Sequence, residues 1–285
     1  MDGRELLGLW WTVPGGLALV GYGLSLAGMT RPQRAVWVTA RVVAVRTPAH
    51  GASKGPGLPV TVAFQDPATG AEFTLPNAGR HGEAVHQAWV GREFAVRYPR
   101  GRPDRFQLLT DTVREKGGLG GPNCAVFLLA LGLVIQATVS WGYPWALLGF
   151  GGLVTAAMAS SRDIQSARAR AALLASAIAV PGRVVAVTRD EYTDGEGDTI
   201  VNHAPVVVFT THTGIEVTAL CREGVREPGT SLGRALTVHY APADPAVLTP
   251  DLAHDRRERV GTIAFVVVLL VIGIAAVVAG AITVR

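Results

Sequence analysis

Charge is scarce in this chain. Asp, Glu, Lys and Arg make up 17% of its 285 residues, against about a quarter in an ordinary soluble domain. Three stretches hold none of them: Leu6 to Met29, Pro122 to Ala159 and Val260 to Val284. Cysteine is nearly missing as well. Cys124 and Cys221 stand alone, which excludes a disulfide-stapled scaffold and a cysteine-based zinc module. Both read as small buried hydrophobes.

The charge-free stretches are therefore the first features to explain. The second divides at Trp141 to Pro144, giving four pieces, each near the roughly 17 to 25 residues that cross a bilayer as a helix. The sequence predicts transmembrane helices at 6–29, 122–140, 143–160 and 260–284. Val260 to Val284 is apolar on every face, as a lipid-exposed helix is and an amphipathic surface helix is not. A cleaved signal peptide is the other reading of the first piece, because Ser25-Leu26-Ala27 offers a small-x-small site. Against it, Asp2 and Glu5 flank a single Arg4, and Pro14, Gly15 and Gly16 interrupt a stretch too long for a signal core. An uncleaved helix is expected.

The chain also repeats itself. Arg41-Val42-Val43-Ala44-Val45 recurs letter for letter 142 residues later as Arg183-Val184-Val185-Ala186-Val187. At the same offset Val90-Gly91-Arg92 matches Leu232-Gly233-Arg234, Val96-Arg97-Tyr98 matches Val238-His239-Tyr240, and Pro103 matches Pro245. Gly70-Ala71-Glu72 pairs with Gly214-Ile215-Glu216 at 144, a difference that the loops absorb. Self-similarity at half the chain length predicts an internal duplication.

Between the helices lie short runs of β-branched and aromatic residues bounded by turn residues, the pattern of a small barrel or sandwich. In the module at 36–111 the expected strands are Val38 to Arg46, Val60 to Phe64, Glu72 to Leu75, Glu93 to Tyr98 and Phe106 to Leu109. In the module at 180–251 they are Arg183 to Thr188, Val206 to Thr210, Glu216 to Ala219, Ala235 to Tyr240 and Ala246 to Leu248. Gly70 and Gly214 each fall where a hairpin loop needs positive φ. The expected fold class is four transmembrane helices with two small five-stranded β-barrel or sandwich modules. About 70 residues is near the lower limit for an independent core, so each module is expected to lean on its helices or its twin.

The run Pro205-Val206-Val207-Val208-Phe209-Thr210-Thr211, then Gly214-Ile215-Glu216-Val217-Thr218, Leu232-Gly233-Arg234, Val238-His239-Tyr240 and Pro242-Ala243-Asp244-Pro245, resembles the bacterial domain-of-unknown-function 3592 family. The first copy departs from it at Val60-Thr61-Val62-Ala63-Phe64 and Arg102-Pro103-Asp104. The resemblance implies helix, β-module, helix and a membrane location, and supplies no catalytic residue.

Orientation follows from Lys and Arg near the helix ends. Arg31 and Arg34, Arg114 and Lys116, Arg162, Arg168 and Arg170, and Arg256, Arg257 and Arg259 all flank the module side, whereas Trp141 to Pro144 has no basic residue. Both modules are expected in the cytoplasm at the cell membrane, with both termini outside. Trp10, Trp11, Trp141, Tyr143 and Trp145 fall at the expected outer interface. Residues 30–121 carry a net +6 and residues 160–259 a net −2. The basic balance thus reads as a membrane-surface footprint and not a nucleic-acid one. Arg97, Arg100, Arg102 and Arg105 could face the acidic loop Asp190, Glu191, Asp194, Glu196 and Asp198, or both surfaces could be independently solvated.

Signatures of chemistry fail in turn. Asp190-Glu191-Tyr192-Thr193-Asp194-Gly195 approaches a calcium loop, but Tyr192 takes a ligand position and Val201 stands where a bidentate Glu belongs. His81, Glu83 and His86 lack the zinc-protease spacing. A Cys221, His239 and Glu216 grouping has only Glu216 repeated, at Glu72. Gly117-Gly118-Leu119-Gly120-Gly121 lacks the lysine of a phosphate loop and reads as a hinge. Within the helices only Gln136, Thr138 and Thr155 are notably polar, which argues against an ion pathway. Gly152 with Ala156 and Ala276 with Gly280 have the spacing for close helix packing.

The sequence therefore assigns no catalytic, cofactor-binding or metal-ligating residue. The expected function is non-enzymatic docking, sensing or scaffolding by cytosolic β-modules. Expected partners are the lipid bilayer, a protein bound through the modules and further copies of the chain, with no nucleic acid. The alternatives are a transport accessory or oligomeric channel component, and a membrane-associated enzyme of unrecognised type.

Overall fold

The structure, a computed structural model, describes residues 10–53, 57–77, 83–109, 119–193, 195, 197–221 and 223–284. In chain order it contains α1 (Thr12–Leu26), α2 (Arg31–Arg34), β1 (Val36–Val45), β2 (Val60–Gln65), β3 (Glu72–Asn77), β4 (Gln87–Ala88), β5 (Glu93–Tyr98) and β6 (Gln107–Leu109). There follow α3 (Gly120–Trp141), α4 (Tyr143–Ser160), α5 (Asp163–Leu174), β7 (Ile178–Thr193), β8 (Thr199–Thr210), β9 (Glu216–Leu220), β10 (Ala235–Ala241), β11 (Asp244–Thr249) and α6 (Leu252–Val284). They cluster into two compact units, one helical and one β.

In the helical unit, three stretches are long and apolar enough to cross a membrane: Thr12–Arg34, Gly120–Trp141 and Leu252–Val284. α4 occupies the fourth expected piece but falls short of them, since Tyr143, Pro144, Trp145 and three glycines dilute its apolar content. α1 ends in a Schellman motif at Gly28, whose φ is +67°. The Met29 amide donates to the Leu24 carbonyl and the Gly28 amide to Ser25, satisfying carbonyls that the helix end leaves open. Gln33 then reaches back to the Thr30 amide at 3.2 Å, a capping-box contact that starts α2. Gly142, at φ +93°, separates α3 from α4.

Glycine decides how these helices approach. A Cβ on Gly151 would lie 2.7 Å from the Gly273 carbonyl and 2.9 Å from the Val277 nitrogen, and one on Gly280 would lie 2.8 Å from the Pro144 carbonyl. α4 and α6 thus meet backbone to backbone. The close packing that the Gly152 spacing permits is made instead by the adjacent Gly151, since a Cβ on Gly152 would meet nothing within 4 Å. Several polar side chains of the helical unit have hydrogen-bond partners, which offsets the cost of leaving water. Trp10 donates to Gln136 at 2.9 Å, Tyr22 to Asn123 at 2.6 Å, Thr138 to the Val134 carbonyl and Thr155 to the Gly151 carbonyl.

The β unit contains two sheets, ordered β3-β2-β1-β5-β6 and β11-β10-β7-β8-β9-β4. Without β4 the second has the strand order of the first. The two share local detail as well. The pairing of β1 with β2 slips between Val42 and Ala44, and that of β7 with β8 between Val184 and Ala186. Gly91 and Gly233, at φ +95° and +77°, donate to the Val42 and Val184 carbonyls. Tyr98 and Tyr240, both buried, end matching strands and bond the hairpin turn opposite: Tyr98 to Asp66 at 2.9 Å, Tyr240 to His212 Nδ1 at 2.5 Å. Hydrogen bonds from Thr69 and Ala68, with Tyr98 adding to them, hold the Asp66 carboxyl below its ordinary range.

Alternation sorts the faces. Val60, Val62 and Phe64 of β2 and Phe94, Val96 and Tyr98 of β5 are buried in one core, as period-two patterning demands. Val184, Val207, Phe209, Val217, Val238 and Tyr240 build the other. Neither module keeps its core to itself. Ala186, Ala204, Val206 and Leu220 of the second segment enter the first core, and β4 of the first segment pairs with β9 through Gln87↔Ala219 and Ala88↔Thr218. Arg92 secures this crossing by donating to the Gln87 carbonyl while its guanidinium lies over Trp89 and Phe94.

Several elements exceed the sequence expectation, β4 among them. β7 and β8 pair from Gly182↔Phe209 to Thr193↔Thr199 with the one slip at Val184, so the polar run through Asp190 and Glu191 is strand where a loop was expected. α5 was not anticipated. Arg97 donates to Gln107 and Glu191 pairs with Arg189, so each of these charges has a partner in its own sheet.

Ala at residue 151 should destabilise the chain by about 1 to 3 kcal/mol through overpacking, whereas Gly152→Ala should be neutral or mildly stabilising, by up to about 1 kcal/mol, from helix propensity. Thermal unfolding of the detergent-purified variants checks the contrast, and equal shifts would contradict the α4–α6 contact.

Candidate functional site

A grouping of ionisable side chains surrounds the start of α6. Asp251 caps the helix, its Oδ1 accepting from the Ala253 amide at 2.8 Å and the His254 amide at 3.0 Å. These bonds, the His254 one foremost, hold the Asp251 carboxyl below its ordinary range. One turn on, the buried Asp255 takes the Arg170 guanidinium of α5 at 2.7 Å. Arg170 also donates to the Leu248 carbonyl at 2.9 Å. The cap and the ion pair fix the rotation of α6 about its own axis, so His254 and Glu258, four residues apart, face the same way.

The loop after β9 completes the group. Cys221 anchors it by donating its amide to the Pro205 carbonyl at 2.8 Å. Gly224, at φ +80°, packs so close that a Cβ there would meet Pro250 Cδ at 3.3 Å and the Asp251 amide nitrogen at 3.4 Å. Glu223 is thereby carried to 3.8 Å from His254 Nε2. Ligand atoms of Glu223, His254 and Glu258 all lie within 4.8 Å of one another, with all three residues exposed. Beside them a cleft of about 270 Å³ is walled by His86, Cys221, Leu248 and Arg170.

The residues weighed from the sequence are mostly scattered. Cys221 belongs to the second core with Val238 and Tyr240, so His239 between them points to the opposite face. Glu216 starts β9 five residues before Cys221, about 16 Å along an extended strand. The Cys221, His239 and Glu216 grouping is therefore not assembled, and burial pushes the Cys221 thiol up to about 12, away from thiolate chemistry. Glu83 and His86 lead into β4, the Glu83 amide donating to Leu108 and the His86 carbonyl accepting from Leu220. His81 lies outside the described residues. Asp190 and Glu191 are paired strand residues facing Asn202 and Val201, which is not the geometry of a calcium loop. Asp194 and Glu196 lie outside the described residues, as do Gly117 and Gly118, while Gly120 and Gly121 open α3.

Sequence reasoning missed Glu223, His254 and Glu258. The spacing of His254 and Glu258 is legible as one helix face, but Glu223 is 31 residues upstream of His254, and only the folded loop joins it to them. No protein-family model, no curated protein and no solved structure matches the chain.

Cys221 supplies a pH test. Its unfolded thiol ionises near about 8.5, whereas the folded one holds its proton up to about 12. The unfolded state thus loses a proton first, and stability falls as pH rises through that window. Cys221→Ala should flatten this part of the curve in denaturant titrations. An unchanged slope would show the thiol to be accessible.

Proposed function

We propose that the chain is a multi-pass membrane protein with four spanning helices, whose duplicated β-modules serve as a cytosolic body for docking, sensing or scaffolding. The observation that carries this reading is apolar surface that the chain leaves uncovered. Leu19, Leu26, Val139 and Ile282 are 78%, 90%, 82% and 69% exposed on helices apolar around their whole girth. In water that surface is unfavourable by about 25 cal/mol per Å²; in lipid it is the ordinary state of a spanning helix. α4, joined to α3 by the Gly142 turn, is taken as the fourth span.

The shared strand order and matching slips of the two sheets support a duplication, and kinship with the domain-of-unknown-function 3592 family is part of the same proposal. Basic residues at the module-side helix ends support a cytosolic placement of the modules. Paired sheets with two closed cores suit a body that presents surfaces, and the dispersal of Cys221, His239 and Glu216 favours binding over covalent catalysis.

Alkaline carbonate should leave the protein in the membrane fraction. In a Cys124→Ala, Cys221→Ala background, a cysteine at Arg102 or Asp198 should react with an impermeant maleimide only after the cells are opened. Release by carbonate, or labelling of intact cells, would overturn the reading.

A further inference from the structure

We infer that Glu223, His254 and Glu258 form a binding site for a divalent transition-metal cation of the zinc, manganese or iron(II) class. The inference goes beyond the membrane reading and does not depend on it. It holds on whichever side of a bilayer the β unit lies.

Geometry comes first. The three donor atoms already converge within 4.8 Å, and Glu223 Oε2 and His254 Nε2 are 3.8 Å apart. Bonds of about 2.0 to 2.1 Å in a tetrahedral site set ligand atoms about 3.4 Å from one another. Closing the remaining distance takes small rotations of exposed side chains. The backbone need not move, because the Asp251 cap, the Arg170–Asp255 pair and the Gly224 turn hold the two supporting elements in place.

The donor chemistry selects the class of ion. Two carboxylates balance a divalent charge and suit manganese, and the imidazole nitrogen favours zinc or iron(II) over magnesium and calcium, which take all-oxygen surroundings. The nearby sulfur, Cys221, is buried in the second core and adds no soft ligand of the kind copper(I) takes. Three protein ligands leave at least one coordination position open, and the adjoining cleft of about 270 Å³ has room for water or a small anion to fill it. Glu223 comes from the β-sheet loop, whereas His254 and Glu258 come from the first turns of α6. A bound cation would therefore clamp that loop to the helix.

The test uses the full chain in detergent after chelator treatment, titrated with zinc against a chromophoric chelator. One equivalent should bind, with magnesium and calcium at least about tenfold weaker. Glu223→Gln, His254→Ala and Glu258→Gln should each weaken zinc binding by more than about tenfold, while Glu216→Gln and His239→Ala leave it unchanged. Zinc should raise the melting temperature of the parent chain and of these two controls but not of the triple variant, whose metal-free melting temperature reports that it folds. Cobalt(II) should give visible absorption bands that the triple variant lacks. Failure to saturate at one equivalent, or undiminished binding in the triple variant, would overturn the site.

Discussion

The pairing of two residues of β4 with the edge of β9 is the constraint on which the β unit rests. Each sheet is too small to bury both its faces from its own segment. The crossing strand removes part of this problem by covering an edge that would otherwise be open to a foreign strand. It also fixes which way the residues of β9 face. Leu220 turns into the first core, while Val217, Ala219 and Cys221 turn into the second. The chain leaves β9 from a determined point, so the Glu223 loop reaches the start of α6 and not open solvent. The candidate site is in this sense a by-product of two modules sharing their hydrophobic interior.

The helices obey a different constraint. Each backbone is hydrogen-bonded within itself, and polar side chains find partners either across helices, as Trp10 with Gln136, or back along their own turn, as Thr155 with Gly151. Their mutual approach rests on van der Waals contact where Cβ atoms are missing. Gly151, Gly273 and Gly280 supply that contact between α4 and α6, and the neighbouring Gly152 does not, because a helix advances about 100° per residue and only one of the two faces the partner.

The strands and their turns were largely legible in the sequence. Gly70 and Gly214 marked the hairpin turns, since positive φ leaves few residue choices, whereas the slips at Val42 and Val184 appeared only in the strand pairing. The full length of the β7–β8 hairpin was not legible. Asp190, Glu191 and Thr193 carry no apolar alternation, and cross-strand backbone bonds to Thr199 through Asn202 hold them extended. α5 escaped for a related reason: its pattern is weak, and Arg170 finds its partners in Leu248 and Asp255, 78 and 85 residues away.

The sequence by itself determined the apolar helices, most of the strand-forming segments and the positions of the hairpin turns. These are local properties, set by side-chain hydrophobicity, period and the conformational freedom of glycine. Tertiary structure decided that β4 joins the second sheet, that Leu220 enters the first core, and that Glu223 meets His254 and Glu258. Those outcomes depend on contacts between residues far apart in the chain, formed because burying apolar area and pairing an exposed strand edge lower the free energy of the whole unit, which no single segment encodes.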